Sequence, residues 1–309
     1  MLRYGELSRH PKVFKVLTGL GVDQFDAVVQ DVVPALGRAE QCRLGQRPRQ
    51  RAIGAGRPFE LAARDQILLT IVWLRQYPIH EVLAYLFGVS DSTVSRVIAR
   101  VLPLLEQAGR DTMRLPDPGK KKRRTLDTLL ATLPEVVVII DSFEQRVQRP
   151  RDRQAADDLY SGKKKQHTLK SQLAVDEEGR IVDVAVSVRG PTADLTLLEQ
   201  SGLLERLPPG VGGIGDLAYV GIASLHPAGL GAAPRRKPRG LPRPPEDILY
   251  NTAFSRRRIV VEHSIGRVRR FQSLSQTDRN HRRDHTARVC AVAGLVNRRL
   301  DHQRRQPAA

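Results

Sequence analysis

Cysteine is nearly absent: two in 309 residues, Cys42 and Cys290, neither in a CxxC or a Cys/His spacing. That excludes a disulfide scaffold and a zinc finger and leaves two reduced thiols. No apolar run approaches the roughly 20 residues that cross a bilayer, so no membrane role is expected. The opening MLRYGELSRH lacks the apolar core of a signal peptide, which points to a cytoplasmic protein. No internal repeat recurs. Acids are also scarce, 33 Asp and Glu against 51 Lys and Arg, for a formal charge of +18. Such an excess makes a polyanion the default partner, through phosphate neutralisation and counterion release. By charge alone, an anionic membrane surface or a ribosomal-type structural role fits as well. The hydrophobic share of 40% is ordinary for a globular protein, and the length accommodates about two domains.

From Val13 to about Leu36 the sequence has helical periodicity, with Phe25, Val28, Val29, Val32, Val33 and Leu36 on one face. Residues 37–58, rich in Gly, Arg, Gln and Pro, read as a basic loop, and a second helix runs from about Leu61 to Gln76. Residues 79–103 then read as a helix-turn-helix. Ile79, Val82, Leu83, Leu86 and Phe87 make the first stripe, Gly88 permits the turn, and Ser90 caps the second helix. Val94, Ile98, Val101 and Leu102 give that helix a buried face. Its outward residues Ser92, Thr93, Arg96 and Arg100 suit bases and phosphates of a major groove. A plain αα-hairpin carries the same pattern; the basic charge favours DNA. Residues 109–133, with Pro116, Pro118, Gly119 and the block Lys120–Arg124, read as a basic linker.

The second half changes character. Glu135–Asp141, a β-branched run after Pro134, reads as a buried central strand that ends on Asp141. His167–Asp176 and Arg180–Arg189 alternate about Glu177-Glu178-Gly179 as a β-hairpin. Asp194–Leu207 reads as a helix, Val211–Asp216 as a short strand and 227–245 as a loop. The helical period returns from about Ser255 to Phe271, and His285–Leu300 forms a final helix. This order predicts an α/β RNase H-like core, a mixed sheet flanked by helices, behind an all-α helix-turn-helix domain. The expected division is a DNA-binding domain over 1–108, a linker over 109–133, a catalytic domain over 134–302 and a tail over 303–309.

Asp141 and Asp216 at strand ends and Glu262 on a helix can converge on hard cations, which prefer oxygen ligands. Two magnesium or manganese ions about 4 Å apart would then serve an in-line displacement at phosphorus. Singly, each acid has an ordinary explanation, as a turn residue or half of a surface ion pair. Lys163, Lys164, Lys165 and His167, with Tyr160, lie ahead of a strand near the first acid. They read either as phosphate contacts or as a solvated hairpin entry. Arg258 and Arg269 share a helix face with Glu262 and would lead DNA to the acids. Glu144 is a candidate secondary ligand, and His263 points away from the site.

The segments VIIDSFEQRVQRP (138–150), YSGKKKQHTLKSQLAVDEEGRIVDV (160–184), GDLAYVG (215–221) and YNTAFSRRRIVVEHSIGRVRRF (250–271) resemble the DDE transposases of bacterial insertion sequence family five, kin to the PIF/Harbinger group. LLTIVWLRQYP (68–78) and the helix-turn-helix extend the resemblance to roughly residues 10–300. It implies an RNase H-like nuclease that cleaves element ends in double-stranded DNA and transfers a 3′-hydroxyl into target DNA. It further implies magnesium or manganese, Asp141, Asp216 and Glu262 as the three acids, and a homo-oligomer acting in a bacterial cytoplasm at the nucleoid. The chain departs from the family at Leu217-Ala218, where Lys-Gly is usual, and at Ala193, where His is usual. Those departures leave room for a catalytically inactive or domesticated DNA-binding protein derived from a transposase. An RNA-processing nuclease shares the chemistry, but a helix-turn-helix suits B-DNA better than A-form RNA.

Overall fold

The computed structural model describes residues 1–46, 59–119 and 136–305. The block Lys120–Arg124, residues Pro134 and Glu135, most of the 37–58 loop and the last four residues lie outside the described residues. The chain forms two compact units: Met1–Thr112 with Arg270–Leu274 and Ala287–Ala309, and Met113–Arg269 with Ser275–Thr286. Among the described residues no single helix is long and apolar enough to cross a membrane.

The first unit is all helix. It contains α1 (Tyr4–Leu7), α2 (Pro11–Thr18), α3 (Val22–Gly45), α4 (Ala63–Gln76), α5 (His80–Phe87) and α6 (Asp91–Arg110). The single helix expected from Val13 to Leu36 is two, because Gly19 takes φ +78 and closes α2 in the left-handed conformation that stops a helix. Helix α3 then runs on to Gly45, past the expected loop start at residue 37. Helix α4 is its core, with Ile67, Leu68, Leu69, Ile71 and Leu74 fully buried. Helix α6 begins as expected: the Ser90 hydroxyl accepts from the Thr93 N–H at 3.1 Å. Val94, Ile98, Val101 and Leu102 are buried. On α5 the expected stripe is half right. Leu83, Ala84 and Phe87 face the core, whereas Ile79, Val82 and Leu86 remain exposed, since an eight-residue helix lays only one narrow face inward.

The last helix, α12 (His285–Arg305), groups mainly with this unit and not with the span 134–302. The physical reason is a close backbone crossing. A Cβ on Gly109 of α6 would overlap the carbonyl of Cys290, and one on Gly294 would overlap the Gly109 backbone. Val289–Ala293 are buried, and the Asn297 amide donates to Thr112 Oγ1 at 3.1 Å.

The second unit is built on a mixed sheet flanked by helices, an RNase H-like core. Its strands are β1 (Val136–Arg146), β2 (Tyr160–Ser161), β3 (Gln166–Val175), β4 (Ile181–Val184), β5 (Val188–Arg189), β6 (Val211–Ile214) and β7 (Gly231–Ala232). The order is β2-β3-β1-β6-β7, with β4 and β5 also pairing β3. Strand β1 is antiparallel to β3 and parallel to β6. The outer arm of the expected hairpin is broken into β4 and β5. Helix α7 (Arg153–Leu159) was not legible in the sequence, and the expected 194–207 helix is α8 (Asp194–Ser201) and α9 (Leu203–Arg206), parted at Gly202. One sheet face, with Val136, Val138 and Ile140, packs on Leu198, Leu203 and Leu204 of α8 and α9. The other receives the long helix α11 (Pro245–Arg269), which starts ten residues before the expected Ser255. Pro245 opens it, a favourable first-turn position because the missing N–H would be unpaired there anyway.

Candidate active site

Strand β1 does not end at Asp141. It continues to Arg146, because antiparallel pairing with β3 runs from Ile139↔Val175 to Arg146↔Thr168. Asp141 is the first polar residue after five buried ones, and its carboxylate accepts the Ser142 N–H at 2.8 Å. Strand β6 lies in parallel register and ends with Ile214 beside Ile139, so Asp141 and Asp216 each follow that last pair by two residues. Asp216 lies just beyond β6, where its carboxylate accepts the Ala218 N–H at 2.9 Å and caps the turn Leu217–Tyr219.

Glu262 sits on α11 with its side chain 57% exposed. The link between it and Asp141 is Arg258, one turn earlier, whose guanidinium is 3.7 Å from the Asp141 carboxylate and 3.9 Å from that of Glu262. Arg258 is thus turned inward, with its Nε buried and without a hydrogen-bond partner. Helix position alone places it on the face of Glu262 and does not give its approach to Asp141. Burial pushes the Asp141 carboxyl up to about 6, against the opposing pull of the Ser142 N–H and Arg258, while the Asp216 and Asp194 charges add to the rise.

An open cavity of about 480 Å³ joins Asp141 and Glu262 to Lys163, Lys164 and Arg269. Lys165 is exposed, with φ +51, and does not line it. His167 packs edge-on against Tyr160, ring centroids 5.6 Å apart, while its neighbours Gln166 and Thr168 line the cavity. Glu144 accepts the Thr168 hydroxyl at 2.6 Å and lines the same cavity as Asp141. In the helical unit Ser92 and Arg96 are exposed at the start of α6, and Thr93 is half-buried beside the Ser90 cap. Arg100 is committed elsewhere: it donates to Gln66 at 3.2 Å and lies 4.5 Å over the Phe59 ring.

Residues that pattern reading overlooked lie on β3, and two of them, Thr168 and Lys170, line the cavity with Asp141. Thr168, Lys170 and Gln172 are buried polar residues at alternate positions, and Lys170 pairs with Asp194 at 2.9 Å. The signal was present in the sequence, since a central strand with a polar residue at every second place has a polar interior beside it.

Asp141 on β1, Asp216 just past the neighbouring parallel strand β6 and Glu262 on α11 sit on a curled mixed sheet flanked by helices, the RNase H-like class of fold. Residues 140–297, just over half the chain, match the family described as "DDE superfamily endonuclease", and residues 59–111 match the "helix-turn-helix of DDE superfamily endonuclease". The chain belongs to the DDE superfamily endonucleases. It is 29% identical over 287 residues to the "Probable transposase for insertion sequence element IS702" of Microchaete diplosiphon, covering 93% of this chain and 94% of that one. It is 24% identical over 185 residues to the "Putative nuclease HARBI1" of Bos taurus and of Homo sapiens, spanning 58% of this chain and about half of theirs, 49%. No solved structure matches the chain.

Proposed function

We propose that the protein is a transposase that cuts DNA at the ends of its element and joins a freed 3′-hydroxyl to target DNA. The observation that carries this reading is the placement of Asp141 and Asp216, each two residues past the last β1–β6 pair, with Glu262 tied to Asp141 through Arg258.

The donor set fits magnesium or manganese: oxygen ligands only, one of them a buried carboxylate that at present faces a guanidinium cation. Among the described residues no three acids are already drawn together as a cage, so the cation itself must gather them. Asp141, Asp216 and Glu262 are assigned as ligands, for two ions. When bound, the metals supply an activated attacking oxygen and stabilise the leaving one. The chain's own residues do the rest. Lys163, Lys164 and Arg269 take the phosphates beside the acids, and Arg258 holds the acids' charge until metal arrives. Ser92, Thr93 and Arg96 present the start of α6 to a major groove. Lys165 and His167 serve as rim contacts at most. Two element ends imply at least a dimer, working at the nucleoid in a bacterial cytoplasm. Functionally the DNA-binding domain spans 1–108 and the catalytic domain 134–302, joined by the basic linker.

A second reading, a DNA-binding protein without catalysis, draws on Leu217, which projects 43% exposed beside Asp216 where the family resemblance leads one to expect lysine. Cleavage of DNA carrying the element's own ends, in magnesium or manganese, separates the two. Nicked product with wild type and none with Asp141→Ala supports the transposase. Intact DNA with both, while end-specific binding persists, establishes the second reading.

A further inference from the structure

A polar cluster on β1 and β3 converges on Asp194, the first residue of α8, which lines the cavity together with Asp141. The Ser142 hydroxyl donates to its carboxylate at 2.6 Å, and the Lys170 ammonium lies 2.9 Å from the same oxygen. Lys170 also donates to the Thr192 carbonyl, so it is anchored on both sides of the helix start. The main-chain carbonyl of Asp194 accepts Gln172 Nε2 at 3.1 Å, and the same amide donates to the Tyr219 hydroxyl at 2.9 Å. Gln172 stands opposite Ser142 in the β1–β3 register.

Each arm of this cluster ends at one of the two aspartates. Ser142 gives its N–H to Asp141 and its hydroxyl to Asp194, so one residue couples the two carboxylates. Tyr219, fully buried, closes the turn whose Ala218 N–H donates to the capping Asp216 carboxylate. Stability does not account for the arrangement. A buried ion pair gains little over well-packed apolar residues of the same size, because desolvation cancels most of the Coulomb attraction. Lys170 and Asp194 are only 8% and 13% exposed in their side chains, yet both remain charged residues on a strand face and a helix start that apolar groups could fill.

We propose that Asp194 is a positioning residue: with Lys170 it fixes the backbone presenting Asp141, and through Gln172 it fixes the turn presenting Asp216. The role rests on the reading of those two aspartates as metal ligands. It predicts a ligand pair held in place before metal binds, by partners that line the same cavity as Asp141 and Glu262. Groups that orient ligands in this way change affinity by about 10- to 100-fold when removed.

The test is direct manganese binding to the full-length protein, followed by the paramagnetic signal of free Mn2+, beside cleavage rate, thermal melting and DNA affinity. The variants are Ser142→Ala, Asp194→Asn, the double variant Asp194→Asn/Lys170→Met, and Asp141→Ala. The double variant removes the lysine charge that Asp194→Asn alone would leave buried and unpaired. Ser142→Ala and the double variant are expected to melt within a few degrees of wild type. Both should bind Mn2+ about tenfold more weakly and cleave at least tenfold more slowly, with DNA affinity unchanged. Wild-type Mn2+ binding in the double variant, with binding lost in Asp141→Ala, overturns the positioning role alone and leaves the pair as a fold element. Complete loss in Asp194→Asn with none in Ser142→Ala also overturns it, making Asp194 a ligand. Undiminished binding in Asp141→Ala would sink the metal reading itself and the role that rests on it.

Discussion

Helix α4 and strand β3 are both deeply buried, and both carry polar residues inside. In α4 these are Gln66 and Thr70, and what they donate to is local: Gln66 donates to the Leu61 carbonyl and Thr70 to that of Gln66, each at 2.9 Å. The one distant contact among the described residues is Arg100, which reaches Gln66 from α6. In β3 they are Thr168, Lys170, Ser171 and Gln172, and their partners come from elsewhere in the chain: Glu144, Asp194, Ser187 and Tyr219. Local partners fold with their element and ask nothing of the rest of the molecule. Distant partners must be placed by the whole unit, a cost that packing alone does not justify. The difference marks β3 as the interior that serves the site and α4 as an interior that serves only the fold.

The strongest way to break that comparison is at Asp141. Asp141→Asn is expected to lower cleavage by about 1,000-fold or more, the worth of several kcal/mol of lost charge stabilisation. The same change should stabilise the metal-free protein at pH 7.5. With its carboxyl raised from 3.8 to about 6, the folded state binds the Asp141 proton more tightly than the unfolded state. Stability contributed by this residue is therefore greatest below pH 3.8 and is lost as pH rises to about 6, amounting to on the order of 2–3 kcal/mol. Melting curves of both proteins at pH 4 and pH 7.5 check this: near-coincidence at pH 4 and a higher midpoint for Asp141→Asn at 7.5. An equal offset at both pH values would show that burial of the charge is not what strains the site.

On the other side of the comparison, Leu68→Ala in α4 should cost about 2–5 kcal/mol of stability by leaving a cavity, measurable by chemical denaturation. The surviving folded fraction should cleave DNA normally once saturated with metal. A loss of turnover beyond the loss of folded protein would show that α4 is more than scaffold.

Much of this contrast was readable from residues alone, and the limits have physical causes. The β-branched run before Asp141 and the cap at Ser90 were legible because each is a local rule: burial of a central strand, and a hydroxyl meeting the first free N–H groups. Where Asp141 falls along β1 was not, because the strand's length is set by pairing with β3, a partner about 30 residues away. The approach of Arg258 to Asp141 was not legible for a related reason. Helical spacing places it on the face of Glu262, but only the approach of α11 to β1 turns that face toward Asp141. Gly19 ended α2 without any sign in the apolar period, since a left-handed residue interrupts a helix without interrupting its pattern. The Lys170–Asp194 pair required two strands and a helix start to be assembled before it existed at all.

A pair of mutations sharpens the comparison at the scale of single hydrogen bonds. Thr70→Val removes one buried side-chain hydrogen bond and Gln172→Leu two, and the changes should lower stability by about 1 and about 2 kcal/mol. Thr70→Val should leave cleavage untouched, whereas Gln172→Leu should slow it severalfold, because it cuts the tie between α8 and the turn after Asp216. Equal turnover in the two folded variants would erase the distinction between the two interiors.

The smallest effect distinguishes two arginines on α6. Arg96 is exposed, whereas Arg100 is held by Gln66 and the Phe59 ring. If the start of α6 meets DNA, Arg96→Ala removes one phosphate contact and reduces the slope of log affinity against log salt by about 1. Arg100→Ala removes a cation–π contact inside the helical unit, costing about 0.5–1 kcal/mol of stability and leaving the salt slope alone. Fluorescence anisotropy at several salt concentrations reads the slope directly. A fall in slope for Arg100→Ala rather than Arg96→Ala would mean that Arg100 leaves Gln66 and Phe59 when DNA arrives, and that this end of α6 rearranges on binding.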